Sequence, residues 1–371
     1  MVLSNAARRA IGNAMLRVVF PLAGAFFLTL LLTPLIRRKA VWLDAFDHPG
    51  EERRVHKSPM PRLGGMAIYV AFVLIWMARA WWMSDWASGK ALLLTATPVF
   101  VLGVLDDLRG VRERWKLLLP ALSAAWLYGA GWGVTALSLW PDTTVQLPPW
   151  LGLVLTVLWL AGMTNAFNLI DGLDGLAVGV SSLASAAVLG GALWLGQSET
   201  AALSAMLLGA LLGFLPYNFY PAKIFLGDSG SLFLGFVIAA LAMRGTAGEV
   251  GRVSLAAPII LGLPLTEAVV TLLRRWLAGQ PLLPGDRGHF HHKLLERGFS
   301  QKASVLRLYA AAAAFATGGV LLLRAGSWMT TVVLFLLVLG VVLGVRSLRY
   351  AEFRRRIARE SERACENERV G

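Results

Sequence analysis

A single cysteine, Cys365, stands in a chain of 371 residues. That excludes an internal disulfide framework and any metal site built from several thiolates. Charge is scarce as well. Charged residues make up 15% of the chain and hydrophobic ones 57%, whereas a soluble domain carries about 25% charge. With a mean hydropathy of +0.63, an ordinary soluble domain is excluded. Nucleotide-binding signatures are missing too, since there is neither a Walker A sequence nor a glycine fingerprint following a strand. Repeats and low-complexity segments are absent apart from an Ala-rich run at 310–317. Acidic residues are few, 22 against 35 Lys and Arg, which leaves a net charge of +13. In a soluble protein that excess would suggest nucleic acid, but no soluble module remains to carry such a function. Nucleic acid is set aside as a partner.

What is present is a succession of long apolar segments. At about 20 residues per crossing, spans are expected at 15–36, 63–83, 91–105, 117–139, 151–167, 174–195, 201–217, 229–243, 253–276, 304–323 and 327–346. The fold expected is therefore an all-α integral membrane protein of about eleven transmembrane helices. The first segment is too long for a signal-peptide core and reads as a true membrane helix. Residues 1–348 form the polytopic catalytic domain in this reading, and 349–371, which mix Arg and Glu at helical spacing, a charged cytoplasmic tail.

Basic residues set the orientation. Arg37, Arg38, Lys39, Arg53, Arg54, Lys57 and Arg62 fall in one loop, and Arg109, Arg112, Arg114 and Lys116 in another. Arg274, Arg275, Arg287, Lys293, Arg297 and Lys302 fall in a third. An odd number of spans puts these on one side with Lys223, leaving little more than Lys90, Arg244, Arg252 and Arg324 opposite. The positive-inside rule then places the N-terminus outside and the C-terminus in the cytoplasm of a plasma (inner) membrane. Arg8, Arg9 and Arg17 pull mildly the other way.

The polar residues gather on the same side. All five histidines lie in two of its loops, His48 and His56 in one, His289, His291 and His292 in the other. Asp106 and Asp107 end the third span, Asn165, Asn168, Asp171 and Asp174 lie between the fifth and sixth, and Asp228 precedes the eighth. Carboxylates, amides and imidazoles converging from four loops point to a catalytic site at the cytoplasmic interface.

Each signal has a bland alternative. The Asp106-Asp107 pair reads as a solvated turn or as a site for a hard cation bridging phosphates. Asn165, Asn168 and Asp171 share a helical face, while Asp171 or Asp174 alone would serve to cap the sixth span. Asp228 or Ser229 reads as an N-cap, or Asp228 as a cation ligand beside a phosphate-accepting helix N-terminus. The His289-Phe-His-His292 run lacks the cysteines or helical spacing of a zinc site and suits a diphosphate better. Glu267, inside the ninth span, is the clearest intramembrane carboxylate, functional by default in lipid or simply the ion-pair partner of Arg274 or Lys116.

Taken in order, these loops resemble a known family. The blocks are Asp47-His-Pro49, Arg53-Arg-Val-His56, Met60-Pro-Arg-Leu-Gly-Gly65 and Leu105-Asp-Asp-Leu108. They continue with Asn165-Ala-Phe-Asn-Leu-Ile-Asp-Gly-Leu-Asp-Gly175, Phe225-Leu-Gly-Asp-Ser-Gly230 and His289-Phe-His-His292. They are similar, over about residues 15–345, to those of the polyprenyl-phosphate N-acetylhexosamine-1-phosphate transferases. That resemblance implies transfer of a sugar 1-phosphate from a UDP-sugar to undecaprenyl phosphate in the bilayer, releasing UMP, with Mg²⁺ as cofactor. It implies catalytic roles for Asp106, Asp107 and His291, and metal binding by Asp228 and Asn168. It implies substrate contacts for Lys116, Asn165, Asp171, Asp174, Arg287, His289 and His292. A homodimer is compatible with it. Phe290 interrupts the histidine run where the peptidoglycan branch has three consecutive His, and Pro61-Arg62-Leu63 precedes the Gly pair where that branch has a Thr-containing sequence. Both features resemble the enzymes that use UDP-GlcNAc, so this donor is expected over other UDP-N-acetylhexosamines and over UDP-MurNAc-pentapeptide. A secondary transporter is the competing class, but it would place its carboxylates near the bilayer midplane.

Overall fold

The structure is a computed structural model, and it describes residues 18–43, 45–47, 60–140, 143–246, 252–280 and 288–348. Arg287, His48, His56, Cys365 and the charged tail lie outside the described residues. The chain folds as an all-helical membrane bundle with small strands at its two ends. The long helices are α1 (Phe20–Trp42), α2 (Gly64–Met83), α3 (Lys90–Arg109), α4 (Glu113–Leu127), α5 (Pro149–Ile170), α6 (Leu176–Trp194), α7 (Ser198–Asn218) and α8 (Gly227–Gly245). After these come α9 (Ala256–Ile260), α10 (Gly262–Leu277), a short α11 (Phe290–Glu296), α12 (Gln301–Leu322) and α13 (Ser327–Ser347).

Among the described residues nine helices are long and apolar enough to cross a membrane uninterrupted. The two further expected spans, 117–139 and 253–276, are present but broken. Helix α4 runs into a π turn, Tyr128–Trp132, where Gly131 takes φ +83°; its 15 α-helical residues rise about 22 Å at 1.5 Å each. Beyond it the chain is a strand rather than a helix. The ninth expected span divides at Leu261 into α9 and α10. Pro264 three residues on has no N–H to return to the preceding turn.

The bundle is layered by burial rather than by sequence. Helix α8 is its axis, 83% buried over its apolar window, with α6 and α7 at 72%, whereas α13 is 6% buried. Large side chains on the outer helices face outward, among them Phe27, Leu31, Phe335 and Trp328, as expected where lipid is the solvent. Two buried hydroxyls are satisfied within their own helix, Thr156 on Gly152 O at 2.7 Å and Thr164 on Leu160 O at 2.7 Å, whereas those of Ser181, Ser185 and Ser204 have no partner among the described residues. Close approach to the axis depends on small residues. A Cβ on Gly103 would lie 2.4 Å from the carbonyl oxygen of Asp228, so α3 reaches the α8 backbone only because that position is glycine.

Strands β1 (Phe46–Asp47) and β2 (Met60–Pro61) pair antiparallel at one end of the bundle. At the other end β3 (Ala136–Trp140) is flanked by β4 (Thr143–Gln146) and, in parallel, β5 (Arg252–Ser254). The end holding β1 and β2 is where the polar motifs meet.

Candidate active site

The site starts from the entry into α8. The Met60–Gly65 block is zipped to the Phe225–Gly230 block by backbone bonds: Phe225 N–H to Pro61 O at 2.9 Å, Gly64 N–H to Phe225 O at 3.0 Å and Gly65 N–H to Leu226 O at 2.8 Å. Leu63, between them, is fully buried and holds φ +78°, a conformation that costs a non-glycine residue about 1–2 kcal/mol. Next, Gly227 takes φ +74°, and a Cβ there would sit 2.6 Å from Asp107 Oδ2. Glycine is required on both counts.

The aspartate pair at the end of α3 divides its work. Asp107 accepts from the backbone N–H groups of Asp228 at 2.8 Å and Ser229 at 3.0 Å, capping α8 from a neighbouring helix. The local cap expected from Asp228 or Ser229 is thus supplied by Asp107. Asp106 accepts from Val111 N–H at 2.7 Å and from Lys116 Nζ at 2.9 Å. Lys116 reaches across from the first turn of α4 and also contacts Asp228 Oδ2 at 2.6 Å. Three helix ends are joined through this one ammonium group. Asn165 on α5 donates to Ala161 O at 2.8 Å and to Lys116 O at 3.3 Å, which seats the start of α4. Asn168, one turn on, donates to Ser231 Oγ on α8 at 3.1 Å.

Asp171 leaves the end of α5 at φ −80°, ψ 48°. Burial, together with the charges of Asp228, Asp107 and Asp174, pushes its carboxyl well above the usual carboxylate range, with the Arg62 guanidinium opposing. Neither Asp171 nor Asp174 caps α6, whose first turn has no side-chain cap. Asp174 instead accepts from Ala222 N–H at 2.9 Å and is buried, bracing the turn that leads into α8.

The histidine loop covers this cluster. The His291 and His292 rings lie 4.3 Å apart and those of His289 and His291 5.6 Å apart, near parallel. His291 packs on the Asp171 turn so closely that a Cβ on Gly172 would lie 2.2 Å from its Nε2. Burial and the neighbouring imidazoles hold its pKa well below the usual histidine value, so it is neutral at pH 7. Glu267 pairs with neither Arg274 nor Lys116. Its carboxylate meets His289 Nδ1 at 2.9 Å and accepts from Phe290 N–H at 3.0 Å. The simple ion pair is not formed because α10 presents Glu267 to the loop, while the Arg274 guanidinium lies against Gly288.

Asp106, Asp107, Lys116, Asn165, Asn168, Asp171, Asp174, Asp228, His289, His291 and His292 thus gather at one end of the bundle. Two residues given no role in advance belong with them: Arg62, facing Asp171, and Ser231, on Asn168. Ser231 closes the Phe-Leu-Gly-Asp-Ser-Gly-Ser run, but nothing in that run indicates which face would meet Asn168.

Comparison with known proteins gives this arrangement its context. The profile of glycosyl transferase family 4 matches residues 90–246. A Bacillus subtilis protein described as a probable undecaprenyl-phosphate N-acetylglucosaminyl 1-phosphate transferase is 36% identical, covering 88% of this chain and 90% of its own. The chain belongs to this family of membrane-embedded glycosyl-1-phosphate transferases. Two further members are similar over most of their length. The undecaprenyl-phosphate alpha-N-acetylglucosaminyl 1-phosphate transferase of Thermotoga maritima is 31% identical over 72% of this chain and 77% of its own. The phospho-N-acetylmuramoyl-pentapeptide-transferase of Shouchella clausii is 30% identical over 84% and 97%. Membership fixes the class of the chain as an enzyme of this family, and both donor branches weighed from the sequence occur among its relatives.

Proposed function

We propose that this enzyme transfers GlcNAc-1-phosphate from UDP-GlcNAc to undecaprenyl phosphate, giving undecaprenyl-diphosphate-GlcNAc and UMP. The carrying observation is the Lys116 bridge between Asp106 and Asp228, set beside Asp171 and the histidine loop. A cation among acidic groups at the mouth of helix α8 suits two phosphates that must approach each other. An oxygen of the lipid phosphate attacks the sugar-bearing phosphorus of the donor. The bond from that phosphorus to the oxygen bridging it to the nucleoside-bearing phosphate breaks, and UMP departs with the bonding pair. Asp106 is assigned the role of taking a proton from the lipid phosphate, and Lys116 that of offsetting the charge of the approaching groups. His289, His291 and His292 close over the bound donor, with Arg287 assigned to the same loop. Asp107 holds the α8 N-terminus, and with it Asp228, in place.

The donor set also suits a divalent cation. Among the described residues no three His, Cys, Asp or Glu side chains already form a metal cluster, and Lys116 bridges two of the candidates. The groups nearby are nevertheless hard oxygens with a surplus of negative charge, which burial makes costly around Asp171. Asp228 and the Asn168 amide oxygen, with Asp171 beside them, would hold Mg²⁺, whose contribution is to neutralise phosphate charge and stabilise the leaving group.

UMP release by purified protein given Mg²⁺, undecaprenyl phosphate and each donor in turn tests the reading. A lipid product from UDP-GlcNAc is expected, and a product formed solely from UDP-MurNAc-pentapeptide would overturn the donor assignment. The site is assigned to the cytoplasmic face of the plasma membrane. An Arg297→Cys substitution in a Cys365→Ser background should react with an impermeant maleimide only after cells are opened, and labelling of intact cells would invert the orientation. Catalysis is assigned to residues 1–348, so removal of 349–371 should leave turnover intact. Light scattering of the detergent-solubilised enzyme tests the homodimer.

A further inference from the structure

We infer that Glu267 is a positioning residue for the transfer reaction: its carboxylate keeps the proton of His289 on Nδ1, so that Nε2 carries the lone pair and is offered to the site as an acceptor for a substrate hydroxyl. The inference rests on the function proposed above and concerns one residue of that site.

Glu267 is 2% exposed and lies in α10, a helix of the membrane bundle. An ionised carboxylate there is expensive unless its oxygens are fully used. They are used almost entirely on the histidine loop. Oε1 meets His289 Nδ1 at 2.9 Å, while Oε1 and Oε2 accept from Phe290 N–H at 3.3 and 3.0 Å. Thr271 Oγ1, one turn along α10, adds a contact at 3.4 Å. A carboxylate has no proton to give, so the Nδ1 facing it must be the donor. That fixes the tautomer and the ring plane together, as a carboxylate does for an imidazole in other active sites. The ring so fixed stacks near-parallel on His291, and His291 rests on Gly172 beside Asp171. Glu267 therefore governs both where the loop enters α11 and which nitrogen of His289 faces the reacting groups.

Glu267→Gln separates these two effects. The amide oxygen still accepts from Phe290 N–H, preserving the loop, but its NH₂ then faces Nδ1 and moves the His289 proton to Nε2. E267Q should lose at least about tenfold in kcat, with KM for the UDP-sugar and the melting temperature close to wild type. E267Q combined with His289→Ala should lose no more than H289A alone. His289→Asn supplies an independent variant, because its amide N–H can replace the Nδ1 donor to Glu267 while the outer nitrogen is missing. It should stay folded and lose kcat to a similar degree. With five histidines in the chain, ¹⁵N-histidine spectra compared with those of H289N read the tautomer directly. The Nδ1–H form is expected in wild type and the Nε2–H form in E267Q. Wild-type kcat in E267Q or H289N, multiplicative losses in the double variant, or an Nε2–H tautomer in the wild-type protein would each overturn the inference. Failure of the wild-type enzyme to turn over any UDP-sugar would fall on the proposed function instead, while the spectra still decide the tautomer.

Discussion

The two ends of the helical bundle both carry buried or half-buried charge, yet they balance it differently. At the end away from the motifs, Glu199 accepts from Gly89 N–H at 2.7 Å and meets Arg244 at 3.1 Å. Arg244 in turn lies 4.2 Å over the Trp132 ring. Nearby, Asp85 accepts from Ser88 N–H at 3.2 Å and stands 3.9 Å from Arg79. The hydrogen bonding from Ser88 holds its carboxyl below the usual carboxylate range. Among the described residues there, Glu199 and Asp85 each have a base and a backbone cap of their own, and the arrangement ties helix ends together. At the other end Asp106 and Asp228 share one lysine, and Asp171 is left among three carboxylates with Arg62 opposing. A network that serves stability alone tends toward balance, because unbalanced buried charge is costly. The crowding of carboxylates among the described residues at that end is what a phosphate-transfer site with a divalent cation would need.

Substitutions at the two ends should therefore separate activity from stability. The largest effect is expected from Asp228→Asn, which keeps the shape of the side chain but removes its charge. Turnover at limiting Mg²⁺ should fall by orders of magnitude in a protein that still inserts and melts normally, and near-wild-type turnover would remove Asp228 from the site. Lys116→Met comes next. It leaves Asp106 and Asp228 facing each other without their shared cation, a change costing about 3–5 kcal/mol when a buried pair is broken. Both activity and thermal stability in detergent should drop, and an unchanged melting temperature would show that the bridge contributes nothing to the fold.

A smaller effect concerns pH. His291 has a folded-state pKa held below its unfolded value of about 6.5, so protonation favours the unfolded chain. Its contribution to stability is complete above pH 6.5 and is lost as the pH falls toward the depressed folded value. Melting temperature should decline on acidification below pH 6.5, and His291→Asn should flatten that decline. An identical pH profile in H291N would show that other groups set the acid sensitivity. The smallest effect on catalysis belongs to Glu199→Gln at the opposite end. It should cost about 1 kcal/mol of stability, in the range of partly exposed ion pairs, with turnover per folded molecule unchanged. A large loss of activity from E199Q would mean that the two ends are coupled through α8.

The amino-acid sequence by itself determined the membrane character, the spans and the collection of polar motifs at one end. These follow from hydropathy, helix length and the parity of crossings, all of which are properties of consecutive residues. It also brought the right side chains to attention, from Asp106 to His292. What it could not decide was who pairs with whom. Asp107 caps a helix more than a hundred residues away, Asn165 holds the start of α4, and of the readings open to Glu267 the structure realises a contact with His289 rather than with Arg274 or Lys116. The interruptions at Gly131 and Leu261 were likewise hidden within apolar runs long enough to cross. Hydrogen-bond partners and helix breaks depend on how close two backbones come, and here glycines set that closeness, with α3 meeting α8 at Gly103 and His291 meeting the Asp171 turn at Gly172. A residue without a side chain gives little sign in the sequence of what will press against it, so those contacts existed only once the bundle had packed.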